Sequence, residues 1–524
     1  MSTFPTLAFL LTFVVSSLLY AQRLRKHKLP PGPSKLPFIG NLFNAPKSFE
    51  WLTYQAWSRE YNSDIVHFQI LGTNFVVVNS AEAADELFDR RSKNFSDRPE
   101  SQMAQLTGWS RAFGVMHYGD DWRTNRRLFH QYFRASVVPA YHESSAIAVQ
   151  DLLRRICDTP DLWMQHIRFM AGSNVLRVAY GMELVSAEDH RLDIIEKAMK
   201  VFSMITTAGA FLGAVAFPSC YSSITDFTTV DSFPILKHVP AWFPGGQFKR
   251  DAAKWKLIVD EMYMLMYSEA KESFDSGNYK ASITTEILSK IGQLKGESER
   301  KALEYNAVSI TGTAFSAASD TITLSLLNCV LAMLLYPHVQ TAAQKALDGA
   351  IGSERLPEIA DKDALPYITA VMYECLRWRP ALPLSLPHRS IADDEYKGFH
   401  IPARSIVLGN VWAILHDPER YPDPETFAPE RFLDADGALR ADVPAPLSAF
   451  GFGRRICPGR YFAYDVVWVA IASLLATFDA VKPVDEKGNV VEPSGEYMPG
   501  PGSFSFPVPF QAEFRRRGQV QIPV

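Results

Sequence analysis

The sequence predicts a mainly α-helical protein with one large domain, and three segments carry this prediction. Residues 302–336 form a long helix-compatible stretch that Pro337 ends. Residues 367–378 repeat apolar side chains at helical spacing, and residues 461–478 are apolar over the length of a buried helix. The chain of 524 residues with 47% hydrophobic content is large enough to bury an extensive core.

The N-terminal segment is long and apolar enough to span a membrane. Residues 4–21 carry no charge, and the basic residues Arg23, Arg25, Lys26, His27 and Lys28 follow them. A cleaved signal peptide would place its positive charge before the apolar core, so this order favours a membrane anchor over residues 1–22. The positive-inside rule then places the rest of the chain in the cytoplasm.

A proline-rich segment follows the anchor. Residues 29–33 read Leu-Pro-Pro-Gly-Pro, a stiff sequence that cannot continue a helix. We interpret residues 23–45 as a basic, proline-rich hinge and residues 46–524 as one continuous domain. No long Gly/Ser tract, block of like charge or repeat divides this second part.

Charge and cysteine content exclude several classes of protein. A net charge of −4 is too small to indicate nucleic acid as a partner. The cysteines are odd in number, widely spaced and without a Cys-x-x-Cys pair, which argues against a disulfide framework and a zinc site. They are Cys157, Cys220, Cys329, Cys375 and Cys457. A reducing compartment is therefore expected.

The loop around Cys457 is the most informative segment of the chain. A metal-ligating thiolate needs surroundings that lower its pKa, and nearby glycines let backbone N–H groups approach the sulfur. A lone cysteine is more commonly a buried free thiol. The pattern Phe450-x-x-Gly453-x-Arg455-x-Cys457-x-Gly459, however, resembles the haem-binding signature of cytochrome P450s, with all five fixed positions present.

This resemblance implies a P450 fold, multi-helical with small β-sheets, that binds haem b, which is iron protoporphyrin IX. Cys457 would be the axial ligand of the haem iron. Phe450, Gly453 and Arg455 would belong to the cofactor-binding loop. The proline-rich segment resembles the hinge of microsomal P450s, which implies a single-pass protein of the endoplasmic reticulum membrane with a cytosolic catalytic domain.

Glu374 and Arg377 are three residues apart in a predicted helix, a spacing that is also common in solvated surface ion pairs. The segment Pro-Glu-Arg-Phe at residues 429–432 follows them, and the cysteine loop comes next. This order is that of P450s. The resemblance implies that Glu374, Arg377 and Arg431 form a buried network that supports the haem-binding loop.

Residues 317–321 read Ala-Ala-Ser-Asp-Thr and resemble the Ala-Gly-x-Asp-Thr segment of the P450 distal helix, with Ala318 at the glycine position. In the family, the Asp-Thr pair, here Asp320 and Thr321, relays protons through water to oxygen. An ordinary helix would instead have Thr321 bonded back to Ala317 and Asp320 in solvent.

Trp122 and Arg126 match the family's Trp-x-x-x-Arg element, and residues four apart share a helix face. The resemblance assigns them, with Arg455 and His388, to the haem propionates, which arginine suits by geometry. A lone histidine before an arginine, such as His388, is also typical of an ordinary core or surface residue.

The chain shows no dinucleotide fingerprint, Walker loop or flavin segment, so electrons must come from another protein. The resemblance implies an NADPH-cytochrome P450 reductase docking beside the cysteine loop. Arg123, Arg127, Arg454 and Arg460 would make that face basic for an acidic partner. A solvated basic face is the alternative explanation of these charges.

Substrate contacts in P450s correspond to mostly apolar segments here, which indicates a neutral, hydrophobic small molecule. These segments are residues 103–116, 204–233, 315–318, 382–386 and 503–506. Residues 208–217 and 233–245 are further candidates for contact with membrane lipid, and a packed loop is the alternative explanation of these segments. A buried helix under the cofactor is favoured over a second span for residues 461–478, because Asp465 interrupts them.

The implied activity is that of a haem-thiolate monooxygenase, which inserts one atom of O2 into a terpenoid, polyketide or aromatic substrate. The sequence as a whole resembles those of fungal P450s of secondary metabolism or xenobiotic oxidation. Two alternatives stay open from the sequence. One is a P450-fold isomerase or dehydratase that rearranges a peroxide without a reductase, and the other is a haem sensor or carrier without turnover.

Overall fold

The computed structural model describes residues 28–46, 48–206, 234–244, 246–498, 504–518, 520 and 522. Long helices and short strands make up these residues, so the predicted mainly helical class with small sheets is confirmed. The predicted anchor at residues 1–22 lies outside the described residues.

The α-helices follow one another along the described chain with few strands between them. They are α1 (Glu50–Glu60), α2 (Ala81–Ala84), α3 (Ser92–Phe95), α4 (Gln102–Leu106), α5 (Asp120–Phe133), α6 (His142–Asp158), α7 (Trp163–Tyr180), α8 (His190–Thr206), α9 (Gln247–Asp275), α10 (Ile283–Gln293), α11 (Glu297–Leu335), α12 (Pro337–Ile351), α13 (Pro366–Trp378), α14 (Val411–Leu415) and α15 (Arg460–Thr477). Short 3-10 turns occupy Trp109–Arg111, Val138–Tyr141, Pro160–Leu162, Pro234–His238, Ile359–Ala364, Pro429–Phe432, Leu447–Phe450 and Gly453–Arg455, and Asp85–Arg90 is a π-helical turn.

The strands form three small sheets. They are β1 (Ile65–Ile70), β2 (Thr73–Val78), β3 (His388–Arg389), β4 (Asp394–Tyr396), β5 (Phe399–Ile401), β6 (Ile406–Gly409), β7 (Phe478–Val481) and β8 (Glu513–Arg516). The largest sheet has the order β1-β2-β6-β3, with a parallel pairing only between β2 and β6. The other two sheets are the antiparallel pairs β4-β5 and β7-β8. This arrangement brings His388, on β3, to the edge of the large sheet.

The described part of the proline-rich segment lies along this sheet. The N–H group of His67 on β1 donates a hydrogen bond to the carbonyl of Pro31 at 2.9 Å. A Cβ atom at Gly32 would lie 1.9 Å from the carbonyl oxygen of His67, so only glycine permits the approach. Pro31 and Gly32 are therefore packed against β1.

Helix α11 passes through the centre of the described structure and contacts α5, α7, α10, α13 and α15. Among the described residues, α11 and α15 are the helices whose length and composition would suit a membrane span. In both, most of the apolar window is buried inside the protein, 78% in α11 and 72% in α15. Such burial is typical of core helices, which agrees with the prediction of a buried helix over residues 461–478.

Candidate active site

The cysteine loop connects two 3-10 turns to the N-terminus of α15. The N–H group of Cys457 donates to the carbonyl of Phe450 at 2.8 Å, which closes the loop. Gly453 adopts a φ of 52°, and a Cβ atom there would lie 1.9 Å from the carbonyl oxygen of Phe88. Glycine at position 453 is thus required both by conformation and by the close approach of another chain segment.

Opposing effects act on the sulfur of Cys457. Burial raises the pKa of its thiol, whereas a hydrogen bond from the Gly459 backbone and the charges of Arg126 and Arg460 act in the opposite direction. The N–H group and the two cations favour the thiolate, and a positively charged metal ion would favour it further. The loop therefore has the donor chemistry that a metal-bound thiolate requires.

Cys457 lines a cavity of about 250 Å³. Helix α11 also contributes to the lining of this cavity through Ala314, Ala317, Ala318 and Thr321. Small side chains and hydroxyl-bearing residues, Thr321 among them, thus line the same space as the sulfur. Phe450, Trp122, Arg126 and His388 also line the cavity, so the structure brings most of the predicted cofactor residues together.

Three arginine side chains border this cavity. Arg455 donates to the carbonyls of Ser96 at 2.7 Å and Met116 at 2.8 Å, and its guanidinium lies 4.3 Å from the ring of Trp122. Burial is the largest cause that lowers the pKa of Arg455 to about 8, of Arg126 to about 10 and of Arg98 to about 9. The cavity border is therefore a cluster of desolvated cations.

Asp97 offsets this cluster only in part, because burial outweighs the effect by which its charge raises the pKa of Arg98 and of Arg455. Asp97 already accepts from Arg389 at 2.5 Å and interacts with His117 at 3.2 Å. An anionic group at the border would supply the missing negative charge. Haem fits these donors, because it combines a metal centre for Cys457 with an apolar ring and carboxylates for Arg98, Arg126 and Arg455.

Sequence motifs do not single out Arg98. It donates to the carbonyls of Gly114 at 2.9 Å, and of Leu386 and Pro387 at 2.7 Å each. Two of these partners lie far away in the sequence, so no local spacing marks Arg98. The only signal is its place in the Asp-Arg-Pro sequence of residues 97–99.

His388 is buried, and its Nδ1 atom lies 2.6 Å from the carbonyl oxygen of Phe95. Because a carbonyl only accepts, Nδ1 carries the proton. Burial is the largest effect on the ring and lowers the pKa of His388 well below its usual value. Nε2 can therefore donate to a carboxylate only if the ring is doubly protonated, and the negative charge of that carboxylate would have to stabilise the protonated ring.

Asp320 and Thr321 are adjacent on α11 but have different partners. Thr321 Oγ1 donates to the Ala317 carbonyl at 2.8 Å, while its side chain lines the cavity. Asp320 is 13% exposed, and its carboxylate lies 3.8 Å from a nitrogen of Arg168 on α7. Arg168 also pairs with Glu196 on α8 at 2.8 Å. Burial raises the pKa of Asp320.

The three members of the predicted structural network are in contact. Arg377 donates to Glu374 at 2.6 and 2.8 Å, and Arg431 donates to it at 3.1 Å. Glu374 and Arg377 are completely buried. Arg377 also donates to the carbonyl of Leu415 at 3.0 Å. The network joins α13 to α14 and to the Pro429–Phe432 turn.

A larger cavity of about 970 Å³ adjoins the first, since Arg98 and Leu386 line both. Two of the segments predicted to contact substrate, residues 103–116 and 382–386, contribute to the walls of these cavities. The two cavities therefore share part of a wall, formed by Arg98 and Leu386.

The other predicted substrate segments have different outcomes. Within residues 315–318, Ala317 and Ala318 line the smaller cavity, but Phe315 is buried in the core. Residues 207–233 and 499–503 lie outside the described residues. Residues 504–506 line neither of the two cavities.

The four predicted docking cations differ in their contacts. Arg123 pairs with Asp120, Arg454 donates to the hydroxyl of Tyr118, and Arg460 donates to the Cys457 carbonyl and the hydroxyl of Tyr461. In the described part of the chain, the exposed side chain of Arg127 forms no ion pair or hydrogen bond. Arg127 is therefore the cation most available to a partner.

Comparison with known proteins gives consistent results. The sequence matches the family model described as Cytochrome P450 over residues 30–504. A cytochrome P450 monooxygenase of Armillaria gallica is 37% identical, with 94% of this chain and 93% of that protein covered. The cytochrome P450 monooxygenase ple1 of Rhodocybe pseudopiperita is 38% identical, with 94% and 91% covered. A tryptamine 4-monooxygenase of Psilocybe cyanescens is 35% identical, with 97% and 98% covered.

Proposed function

The chain belongs to the cytochrome P450 family and is a monooxygenase, and from this premise we propose that it oxidises a hydrophobic small molecule with O2 and electrons from an NADPH-cytochrome P450 reductase. The observation that carries the proposal is the position of Cys457 in the same apolar cavity as Ala317, Ala318 and Thr321. The sulfur that would bind the metal thus lies in the same cavity as the space proposed for the substrate.

We infer that haem b is the cofactor and that Cys457 is its axial ligand. Bound there, haem supplies the activation of O2, and thiolate ligation favours cleavage of the O–O bond. The cations Arg98, Arg126 and Arg455, with Trp122 and His388, would hold the propionates at the cavity border. Phe450 and Gly453 shape the ligand loop, which the Glu374 network braces through α13.

Asp320 and Thr321 are proposed to manage protons. The Thr321 hydroxyl lines the cavity and can hold a water molecule beside the substrate. Because burial raises the pKa of Asp320, its carboxyl group is better suited to donate a proton near neutral pH than an exposed aspartate. Asp320 faces Arg168 and not Thr321, so the proposed relay needs water between the two side chains.

The proposed substrate is a terpenoid, polyketide or aromatic compound of fungal secondary metabolism or xenobiotic oxidation. The apolar lining of the smaller cavity supports a hydrophobic reacting part. The relatives named above come from fungi, and one of them is named for the aromatic amine tryptamine.

We further propose a single-pass protein of the endoplasmic reticulum membrane with its catalytic domain in the cytosol. The uncharged residues 4–21 and the basic residues after them support this placement. Phe38, Trp242 and Phe243 are exposed in the described structure, with Trp242 79% accessible, and such exposed apolar side chains can contact lipid.

The test uses the full chain, purified from membranes. Dithionite followed by carbon monoxide should give the red-shifted absorption of a thiolate-ligated haem, and Cys457→Ala should abolish it. With reductase, NADPH and isotopically labelled O2, terpenes and polycyclic aromatics should yield products that carry one labelled oxygen. A wild-type protein that shows neither the absorption nor the labelled product would refute the proposal.

A further inference from the structure

His388 differs from the arginines at the border of the Cys457 cavity because the charge of its ring can change. The side chain is 2% exposed and belongs to β3, at the edge of the large sheet. Its Nδ1 atom donates to the carbonyl of Phe95 at 2.6 Å, and the ring of Phe88 covers it at a centroid distance of 4.5 Å. A backbone contact therefore sets both the orientation and the tautomer of the ring.

The second ring nitrogen, Nε2, is the atom that a ligand can reach. It forms no hydrogen bond in the described part of the chain, and it is not one of the fully buried polar atoms without a partner, such as Nε2 of His416. His388 also lines the cavity that contains Cys457. Because the hydrogen is on Nδ1, Nε2 of the neutral ring carries a lone pair and accepts hydrogen bonds.

The surroundings of the ring keep it neutral as long as no anion is added. Burial, the largest cause, and the charges of Arg98 and Arg455 all lower the pKa of His388. Asp97, an acidic residue of this region, forms an ion pair with Arg389 at 2.5 Å, and its charge also raises the pKa of Arg98 and of Arg455. An anion beside Nε2 would act in the opposite direction and favour the protonated ring.

Haem carries such anions in its propionate groups. The buried cations Arg98, Arg126 and Arg455 attract carboxylates to the cavity border that His388 shares. A carboxylate oxygen only accepts hydrogen bonds, so it would face the lone pair of Nε2 unless one proton lies between the two atoms. Carboxyl groups with an ordinary pKa of about 4 are ionised at neutral pH. The proton must therefore come from water.

We propose that His388 and a haem propionate share one proton, which is taken up from solvent when haem binds. A neutral imidazole, a carboxylate and one proton combine into a pair without net charge, and no electron is transferred. The proposal rests on the haem binding proposed above and gives His388 a role that an arginine of fixed charge cannot fill. Relative to a variant without this proton, the affinity for haem should fall about tenfold per pH unit between the pKa of the free ring and that of the pair.

Proton uptake is measured by calorimetry with the full chain prepared without haem. Haemin is titrated into it near neutral pH in two buffers that differ in ionisation enthalpy, and the difference in heat gives the number of protons exchanged. Burial raises the pKa of the Cys457 thiol, so its ligation as a thiolate releases one proton. With one proton taken up at His388, the wild type should show a net exchange near zero.

Two variants isolate the contribution of His388. His388→Gln removes the titrating ring and His388→Arg replaces it with a fixed charge, so each should release about one proton per haem. His67→Gln is the matched control, because His67 is a buried histidine of the same sheet that bonds to Asn74 at 3.0 Å and lines neither described cavity. It should exchange as many protons as the wild type. A purely structural role of His388 would weaken haem binding but leave the proton count unchanged.

The proposal is overturned if the wild type releases one proton per haem, or if a His388 variant that binds haem exchanges as many protons as the wild type. The wild-type count decides even where neither variant binds haem. Thiolate ligation is reported separately by the spectrum after dithionite and carbon monoxide. Loss of that spectrum in the wild type would contradict the proposed function, whereas a normal spectrum with the release of one proton would contradict only the shared proton.

Discussion

Asp320 and Thr321, adjacent residues of α11, have different environments, and the proposed proton relay depends on this difference. Thr321 is oriented by its bond to Ala317 and lines the cavity, whereas Asp320 is buried beside Arg168. Arg168 favours the ionised form of Asp320, and Glu196 opposes it. The protonation of Asp320 therefore depends on a cation from α7 and an anion from α8.

Arg168→Gln should raise the pKa of Asp320, because it removes the cation that stabilises the carboxylate. The limb of the kcat–pH profile that depends on Asp320 should then move to higher pH. Glu196→Gln should move it to lower pH. Reductase-supported turnover across a pH series measures both, with Lys197→Gln, which removes a pair with Asp193, as control. Identical profiles in all four proteins would contradict a role for Arg168.

Thr321→Ala should uncouple NADPH consumption from product formation and increase peroxide release several-fold, because it removes the hydroxyl that is proposed to hold the water molecule beside the substrate. Thr323→Ala is a close control. Thr323 bonds back to Ser319 at 2.7 Å in the same manner, but it is buried and lines neither described cavity. The ratio of peroxide to product measures the effect, and equal ratios in both variants would count against the relay.

At the scale of elements, the Glu374 network connects three segments that are far apart in the sequence. Glu374 Oε1 accepts from Arg377, from Arg431 and from the N–H group of Ala428. One carboxylate thus compensates two cations, one of them completely buried. Isolated buried charges are unfavourable, so the network is stable only when complete.

Glu374→Gln should lower the free energy of unfolding by about 3–5 kcal/mol, because Arg377 would stay buried without its anion. It should also decrease the haem content of the purified protein. Glu430→Gln is the control, since Glu430 is exposed and accepts from Tyr367 at 2.5 Å. Denaturant unfolding and the haem-to-protein ratio measure the two effects. Full haem content in Glu374→Gln would contradict the bracing role.

The packing of α9 against α11 depends on a glycine. A Cβ atom at Gly312 would lie 2.2 Å from the ring of Tyr263, which is completely buried. Gly312→Ala should therefore destabilise the protein by about 1–3 kcal/mol through overpacking. Gly349→Ala, on α12 with open space around it, should not destabilise. Thermal unfolding compares the two, and a neutral Gly312→Ala would show that the helices can separate freely.

At the scale of the whole molecule, the charge of the protein bears on how a redox partner would dock. The net charge of −4 gives no general attraction to an acidic protein, so the proposed docking of a reductase would rely on local cations. Among the four predicted docking arginines, three have intramolecular contacts, and Arg127 is exposed without one in the described structure.

Arg127→Glu should lower reductase-supported turnover several-fold at low salt and make the remaining turnover less sensitive to salt. Excess reductase should restore the rate, since the chemistry at the haem is unchanged. Lys254→Glu, an exposed change of equal charge on α9, is the control. The measurement compares the turnover of the two variants, and its salt dependence, at several reductase concentrations. Equal losses in both variants would indicate a general charge effect.

Much of the candidate site was predictable because it depends on local spacing. Cys457, Gly453 and Arg455 lie in one short loop, and Trp122 and Arg126 are one helical turn apart, so their proximity follows from sequence alone. Arg98 was not predictable, because its partners Leu386 and Pro387 reach it only through the fold.

The amino-acid sequence by itself determined the helical class, the cysteine loop and the likeness to a known family, since periodicity and short motifs report local structure. Only the tertiary structure decided that Asp320 faces Arg168 and that Thr321 lines the cavity of Cys457. The physical reason is that these features depend on the rotation of α11 against α7 and the cysteine loop. Contacts between distant segments set that rotation, and no local pattern encodes it.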